Sequence, residues 1–322
     1  MNPSIVITGV GAVIGQGIIK SLNGSSDRYR LIGIDANPNS VGFNWTDASY
    51  SVPRTDDPRW ADSIIDVCNR ENTVILLPGI EQDVKALLRH LAKVVKNTHA
   101  LPLLNSHKAL AVGFDKWELY IFASQNDIKM PLTCLATDVN IGSLDRFVYP
   151  LLLKPRKGMA GKGIYKVGNV DDLQFQMKHL LANEYIVQQY VGSDDEEYTV
   201  SVFGFKDGNI SEPFVLKRRL NYGSTFEAET FTDPKLSAIA NRTAQLINIV
   251  GHTNFQFRRE SDEYYLIEIN PRFSSAVSIR SAFGFNEPLM AVESFLEGKS
   301  DIRLNLKTGR CFRYIEDNII FT

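Results

Sequence analysis

Two alternating runs near the end of the chain constrain its fold more than any other feature. Asn254-Phe255-Gln256-Phe257 and Leu266-Ile267-Glu268-Ile269-Asn270 place apolar and polar residues with period two, the pattern of strands buried on one face. Arg259-Glu260-Ser261-Asp262-Glu263 between them is polar and turn-like. Paired symmetrically about Asp262, the hairpin sets Gln256 opposite Glu268 and Asn254 opposite Asn270. Phe255 then faces Ile269, and Phe257 faces Ile267, on the other side. One face is core, and the other gathers a carboxylate and amide oxygens. Hard cations such as magnesium take oxygen ligands of this kind together with substrate phosphates. An ordinary hairpin with a solvated polar face has the same pattern, but Pro271-Arg272 directly after Asn270 favours a site that holds an anion against a metal.

The remaining bounds are broad. A chain of 322 residues is long enough for two or three domains with their own cores. With 44% hydrophobic and 22% charged residues it has the composition of a soluble globular protein, and its net charge of −2 asks for neither nucleic acid nor a membrane surface. No apolar run approaches a membrane span, and Met1-Asn2-Pro3-Ser4-Ile5 is too short and polar for a signal peptide. Cys68, Cys134 and Cys311 are isolated and without metal spacing, which fits a reducing compartment; the expectation is a cytoplasmic protein.

Along the chain, Ser4-Ile5-Val6-Ile7-Thr8, a glycine turn from Gly9 to Gly17 and the apolar Ile18-Ile19 read as strand, turn and helix, the opening of a βαβ unit. Leu31–Asp35 and Val74–Leu77 supply further buried strands, and a helix follows from about Asp83 to Lys96. The texture changes near Asn105–Lys108. An aromatic-rich helix over Phe114–Phe122 precedes the strand Tyr149–Lys154, a glycine and lysine loop through Gly163, and a strand at Ile164–Val167. From Tyr185 onward the pattern is strands in hairpins, with helices near 234–249 and 285–297. The fold class is therefore α/β followed by α+β.

Several constellations carry chemistry. Gly9, Gly11 and Gly15 are one residue too widely spaced for the dinucleotide fingerprint. Gly11, Gly15 and Gly17 match the short-chain dehydrogenase spacing, yet the Tyr-x-x-x-Lys pair such enzymes need is absent. Asp35, at the end of the second strand, could take a ribose or be an ordinary strand-end acid. The loop at 154–163 holds Lys154, Arg156, Lys157 and Lys162 among three glycines, Gly158, Gly161 and Gly163. Glycines admit phosphate to backbone N–H groups and the cations neutralise it, although a mobile basic hairpin has the same composition. In the acid run Asp194–Glu197, only Glu197 at the strand boundary is placed to reach a ligand. Val215–Leu220 puts cations on a strand. The five histidines are scattered, and only His252 lies near the hairpin.

Taken in order, Asp115-Lys116, Lys154 before the glycine loop, Gln188-Gln189-Tyr190-Val191, Glu197-Tyr198-Thr199-Val200, Asn254–Phe257 and Glu268-Ile269-Asn270-Pro271-Arg272 resemble the ATP-grasp superfamily, in the branch of the carbamoyl-phosphate synthase large subunit. The resemblance implies a Rossmann-like pre-ATP-grasp domain over 1–108, an ATP-grasp lid over 109–186 and a large C-terminal subdomain over 187–322. It implies ATP and Mg2+, with Mn2+ as the alternative. Lys116 and Lys154 would contact ATP phosphates, with Gly158, Gly161 and Gly163 closing over them. Gln189, Tyr190 and Val191 would read adenine, and Glu197 would hold the ribose. Gln256, Glu268 and Asn270 would bind the metal, with Arg272 against the transferring phosphoryl group. The first metal position holds Gln256 where many relatives have Glu, and Gln189 stands where relatives often have an acid. The implied activity is a stand-alone carboxylate–amine ligase acting through an acylphosphate on small-molecule substrates, with a homodimer permitted. Arg219, Ser274, Ser275 and Arg280 are the candidate substrate contacts. The rival readings are an NAD(P)-dependent oxidoreductase using the Gly9–Gly17 turn and a non-catalytic nucleotide-binding protein.

Overall fold

A computed structural model describes residues 2–25, 27–139, 144–158, 161–300 and 302–319. Three sheets organise them. The first is parallel, in the order β3-β2-β1-β4-β5, from β1 (Ser4–Thr8), β2 (Arg30–Asp35), β3 (Ala48–Ser51), β4 (Thr73–Leu77) and β5 (Leu101–Pro102). Parallel strands need crossovers, and α1 (Val13–Leu22), α2 (Trp60–Arg70) and α3 (Glu81–Asn97) supply them. The apolar strands are buried on both faces. Val6 and Ile32 pack against Trp60, Ile64 and Leu87 of α2 and α3, whereas Ile5 and Ile7 pack with Ile18 and Ile19 of α1.

The second sheet is antiparallel, in the order β6-β9-β7-β8, from β6 (Thr133–Leu135), β7 (Leu151–Pro155), β8 (Tyr165–Val167) and β9 (Tyr185–Gln189). Leu151, Leu153 and Val187 share its small core with Leu173.

The third sheet is antiparallel, in the order β14-β13-β10-β11-β12-β15, from β10 (Glu197–Gly204), β11 (Phe214–Asn221), β12 (Ser224–Phe231), β13 (Gly251–Glu260), β14 (Glu263–Asn270) and β15 (Arg310–Phe312). Alternation divides its faces. Tyr198, Val200, Val202, Phe255 and Phe257 meet α4 (His107–Phe114), α5 (Lys116–Gln125) and α7 (Pro234–Leu246) in one core. The aromatic-rich helix thus packs beneath this sheet. Phe203, Phe214 and Leu216 join the opposite core with α8 (Val277–Ala282) and α9 (Glu287–Glu297), which continues into the α1 face of the first sheet. Gly17 permits that contact, because a Cβ there would stand 2.4 Å from Val277 Cγ1. The helix α6 (Val170–Met177) covers the second sheet through Leu173. Among the described residues no helix is long and apolar enough to cross a membrane.

The hairpin of β13 and β14 has the expected register at its open end: Asn254 faces Asn270, Phe255 faces Ile269 and Gln256 faces Glu268. Beyond that the expectation fails. A bulge between Gln256 and Phe257 pairs Phe257 with Leu266, not Ile267. The extra residue lets Leu266 and Ile269 both enter the core while Ile267 and Glu268 both face a cleft. The turn tightens to Ser261-Asp262, with Ser261 at φ 51°.

Candidate functional site

The cleft lies where the three sheets meet and encloses about 540 Å³. Its floor is the face of the third sheet that carries Glu197, Gln256, Glu268 and Asn270. Cross-strand register stacks the polar groups in rungs. Glu197 lies opposite Arg218 on one side and Arg258 on the other, the next rung holds Thr199, Gln256 and Glu268, and the one after it Ser201, Asn254 and Asn270. Gln256, Glu268 and Asn270 all line the cleft. Among the described residues no group of three or more His, Cys, Asp or Glu is placed to hold a metal, so a cation here needs the amide oxygens beside Glu268.

The second sheet forms the roof. Lys154 on β7 is buried, and its Nζ donates to Gln188 Oε1 at 2.8 Å. Burial, then the neighbouring Lys116 charge, push this ammonium down to about 8, while Glu268 and Glu197 oppose the shift. Lys116 begins α5, which Asp115 caps at Trp117 N, and its Nζ donates to Gly158 O at 3.4 Å. Asp115 also accepts from Arg156 at 2.9 Å, which ties the start of α5 to the basic loop. In that loop Gly161 and Gly163 adopt φ of 71° and 72°, a region open to glycine. Its residues Met159 and Ala160 lie outside the described residues. Gln189, Tyr190 and Val191 line the cleft, and the Tyr190 ring lies 3.8 Å from Lys166 Nζ and 4.8 Å from the Arg258 guanidinium.

The Glu197 carboxylate, also lining the cleft, is already engaged: Arg218 donates from Nη2 at 2.9 Å and Nε at 3.2 Å, and Arg258 from Nη2 at 3.4 Å. Arg272 enters from the end of the metal-type strand. Its Nη2 donates to Glu81 Oε2 at 3.2 Å and its Nη1 to Phe273 O at 3.0 Å, while the buried Nε has no partner among the described residues. Burial acts to raise the Glu81 carboxyl, but Arg272 and Lys85 outweigh it and hold the group below the usual carboxylate range.

Two of the four expected substrate contacts reach the cleft. Ser274 and Ser275 line it; Ser274 Oγ accepts from Arg280 at 2.8 Å, and Ser275 Oγ accepts from Thr225 N at 3.1 Å. Arg280 does not reach it. It is fully buried, ion-paired to the equally buried Glu287, and bonded to Asn254 and His252. His252 belongs to the same network, held neutral by burial and by Arg280 and Arg272. Arg219 points to the other side of β11, where it is exposed and meets Asp195 at 2.7 Å. Its neighbour Arg218 lines the cleft instead. Asp35 is not free for a ribose: its carboxylate accepts from Gly11 N at 2.7 Å and Asn37 N at 2.8 Å and so pins the glycine turn.

Sequence reasoning did not single out Gln188, Arg218, Arg258, Glu81 or Ile267 for the cleft. Parity relative to Glu197 would have separated Arg218 from Arg219, had the pairing of their strands been known. Glu81 arrives from the start of α3, beside the first sheet, and local pattern carries no signal for that approach.

Residues 182–317 match the family model described as ATP-grasp in the biosynthetic pathway with Ter operon, and residues 5–100 match the PylC-like N-terminal domain. The chain is 24% identical over 338 residues to the carbamoyl phosphate synthase large chain of Caldanaerobacter subterraneus subsp. tengcongensis, covering 95% of this chain and 30% of that one. The large chain of Thermoanaerobacter sp. strain X514 matches to the same extent. This chain thus spans about a third of the length of these curated relatives. Among solved structures, N5-carboxyaminoimidazole synthetase from Staphylococcus aureus complexed with ADP superposes with a TM-score of 0.75 at 16% identity, covering 98% of this chain and 83% of that one. Biotin carboxylase from Campylobacter jejuni superposes with a TM-score of 0.74 at 16% identity, covering 96% and 74%. These likenesses establish a shared fold.

Proposed function

The chain belongs to the ATP-grasp superfamily, in the branch similar to the carbamoyl phosphate synthase large chain, and from that premise we propose that it is an ATP-dependent carboxylate–amine ligase. The observation that carries this reading is the convergence of Lys154 from the roof with Gln256, Glu268 and Asn270 from the floor on one cleft. Likeness to a synthetase structure that holds ADP supports a nucleotide in that cleft.

In this reading Lys116 and Lys154 neutralise phosphate oxygens, and Gly158, Gly161 and Gly163 bring backbone N–H groups over them. Gln189, Tyr190 and Val191 meet the base, and Glu197, steadied by Arg218 and Arg258, faces the ribose. Gln256, Glu268 and Asn270 would hold magnesium, which supplies charge neutralisation between the phosphates. The donor set fits a hard cation. With one carboxylate among the three, much of the balancing negative charge must come from the nucleotide. Arg272, fixed by Glu81, is aimed at the transferring phosphoryl group.

A substrate carboxylate oxygen would attack the γ-phosphorus, and the bond to the β–γ bridging oxygen would break to release ADP. The amine would then attack the acyl carbon, expel phosphate and lose a proton to form the amide. The site contains cations and positioned donors, which is what phosphoryl transfer asks of a protein. Closure of the glycine loop keeps water from the acylphosphate.

Thermal-shift titration with Mg-ATP, ATP with EDTA, NADH and NADPH, on wild type and Glu268→Ala, tests the reading. A ligand at a hundred times its dissociation constant stabilises a fold by about 2.7 kcal/mol. A magnesium-dependent shift with ATP that weakens in Glu268→Ala is expected, followed by a screen of acid and amine pairs for ADP release. A shift with the nicotinamide nucleotides alone would remove the ligase reading.

A further inference from the structure

Behind Lys154 runs a short relay of side chains with a fixed polarity. Thr133 Oγ1 donates its one proton to Pro131 O at 2.8 Å. Toward Gln188 it can therefore only accept, and Gln188 Nε2 donates to it at 2.9 Å. The other end of the same amide, Oε1, then faces Lys154 Nζ at 2.8 Å. Reversing the amide would set its NH2 group against the ammonium and its oxygen against a hydroxyl already committed as a donor. The three side chains are buried, with exposures of 1%, 2% and 8% for Thr133, Gln188 and Lys154, so water does not readily replace a lost partner. Register explains the meeting: Gln188 pairs with Thr133 on β6 and with Leu152 on β7, one diagonal step from Lys154.

We infer that Thr133 is a positioning residue: by setting the direction of the Gln188 amide it keeps an acceptor aimed at Lys154, and so keeps that lysine charged and oriented for the phosphates of a nucleotide. The inference rests on the nucleotide site proposed above. Gln188 is the polar partner that favours the ammonium by direct contact. The other charges around it are Lys116 from α5 and Arg258 from β13, which disfavour it, and Glu268 from β14 and Glu197 from β10, which favour it.

The test is the dissociation constant of Mg-ATP for the whole chain, measured from about pH 6.5 to about 9.5 so that it brackets the lysine. Wild-type binding should weaken as pH rises through about 8, where the unliganded Lys154 loses its proton. In Thr133→Val the amide loses its anchor, so binding near neutral pH should weaken roughly tenfold and the alkaline weakening should begin at lower pH. Thr133→Ser, which keeps the hydroxyl, should stay within about twofold of wild type. A Thr133→Val profile that superposes on wild type would overturn the inference, as would Thr133→Ser losing as much as Thr133→Val. Should the valine variant not fold, Thr133→Ala decides: it too removes the hydroxyl that anchors the amide, so the weakening near neutral pH and the earlier alkaline limb must appear, and a profile superposing on wild type overturns the role. Wild type that fails to bind Mg-ATP at all would overturn the nucleotide site and this role with it, whereas wild-type binding with unmoved variants removes the role alone.

Discussion

Asp83 carries a burial cost that pH should reveal. It lies 5% exposed beside the Thr8 hydroxyl, and burial first, then the Asp35 charge, push its carboxyl up to about 7. An unfolded aspartate titrates near 3.9, so between these two values the folded chain binds more protons than the unfolded one. The contribution of Asp83 is therefore fully present below the unfolded value and is lost as pH rises through about 7. Asp83→Asn keeps an oxygen for Thr8 and removes the titration. Urea unfolding at about pH 5 and about pH 8 should show the variant gaining roughly 2 to 3 kcal/mol on wild type between the two. A constant difference would contradict the assignment. At this scale the sequence was legible by residue type and not by direction. Gln256, Glu268, Asn270, Lys154 and Glu197 all line the cleft because strand alternation and the order of motifs carried them there. Arg218 and Arg219 were not separable, since facing depends on pairing with a partner strand that a local pattern does not identify. Arg280 shows the same limit: a conspicuous cation beyond the metal-type motif is held by Glu287 inside the core.

The hairpin of β13 and β14 shows how one extra residue alters an element without altering its register at the site. The sum of core and cleft demands leaves Ile267 as the inserted residue. Without it, Leu266, Glu268, Ile269 and Asn270 would alternate core, cleft, core, cleft without a break. The bulge was hidden in the sequence because an isoleucine suits either face, and symmetric pairing about Asp262 fits the open end of the hairpin as well as the true pairing does. Deleting Ile267 should therefore give a regular hairpin that folds, with stability changed by no more than about 2 kcal/mol, since no buried polar group loses its partner. Nucleotide binding should suffer more. The cleft loses an aliphatic wall next to Glu268, and the burial of one such side chain is worth about 1.5 to 3 kcal/mol, roughly ten- to a hundredfold in affinity. Mg-ATP titration of the deletion variant, with urea unfolding beside it, separates the two effects. Affinity unchanged in a well-folded variant would mean that the bulge serves packing alone.

The cleft exists only in the assembled molecule, because its roof and floor come from the second and third sheets and its end wall from the N-terminal ends of α1 and α3, which share no local sequence. The parallel opening, the later hairpins and the change of texture between them were readable. The docking between them was not, because it rests on side chains far apart in the chain. Glu81 opens α3 and reaches Arg272 behind β14, and Gly17 lets α1 settle on α8. Both contacts hold the first sheet against the rest of the molecule: α1 and α3 flank that sheet, so a shift in the seat of α1 on α8 is expected to carry Glu81 with it. Gly17→Ala would place a methyl group 2.4 Å from Val277 Cγ1, an overlap the core can relieve only by moving the helix or the side chain. Such overpacking costs about 1 to 3 kcal/mol, which urea unfolding would measure. If the seat also governs the site, Mg-ATP affinity should fall in the same variant although Gly17 is not among the residues lining the cleft. Gly24→Ala is the matched control, since nothing stands within 4 Å of a Cβ there and both readouts should stay at wild type. Loss of stability without loss of affinity would show that the first sheet braces the molecule without setting Arg272, and would leave the aim of that guanidinium to the Pro271–Phe273 segment itself.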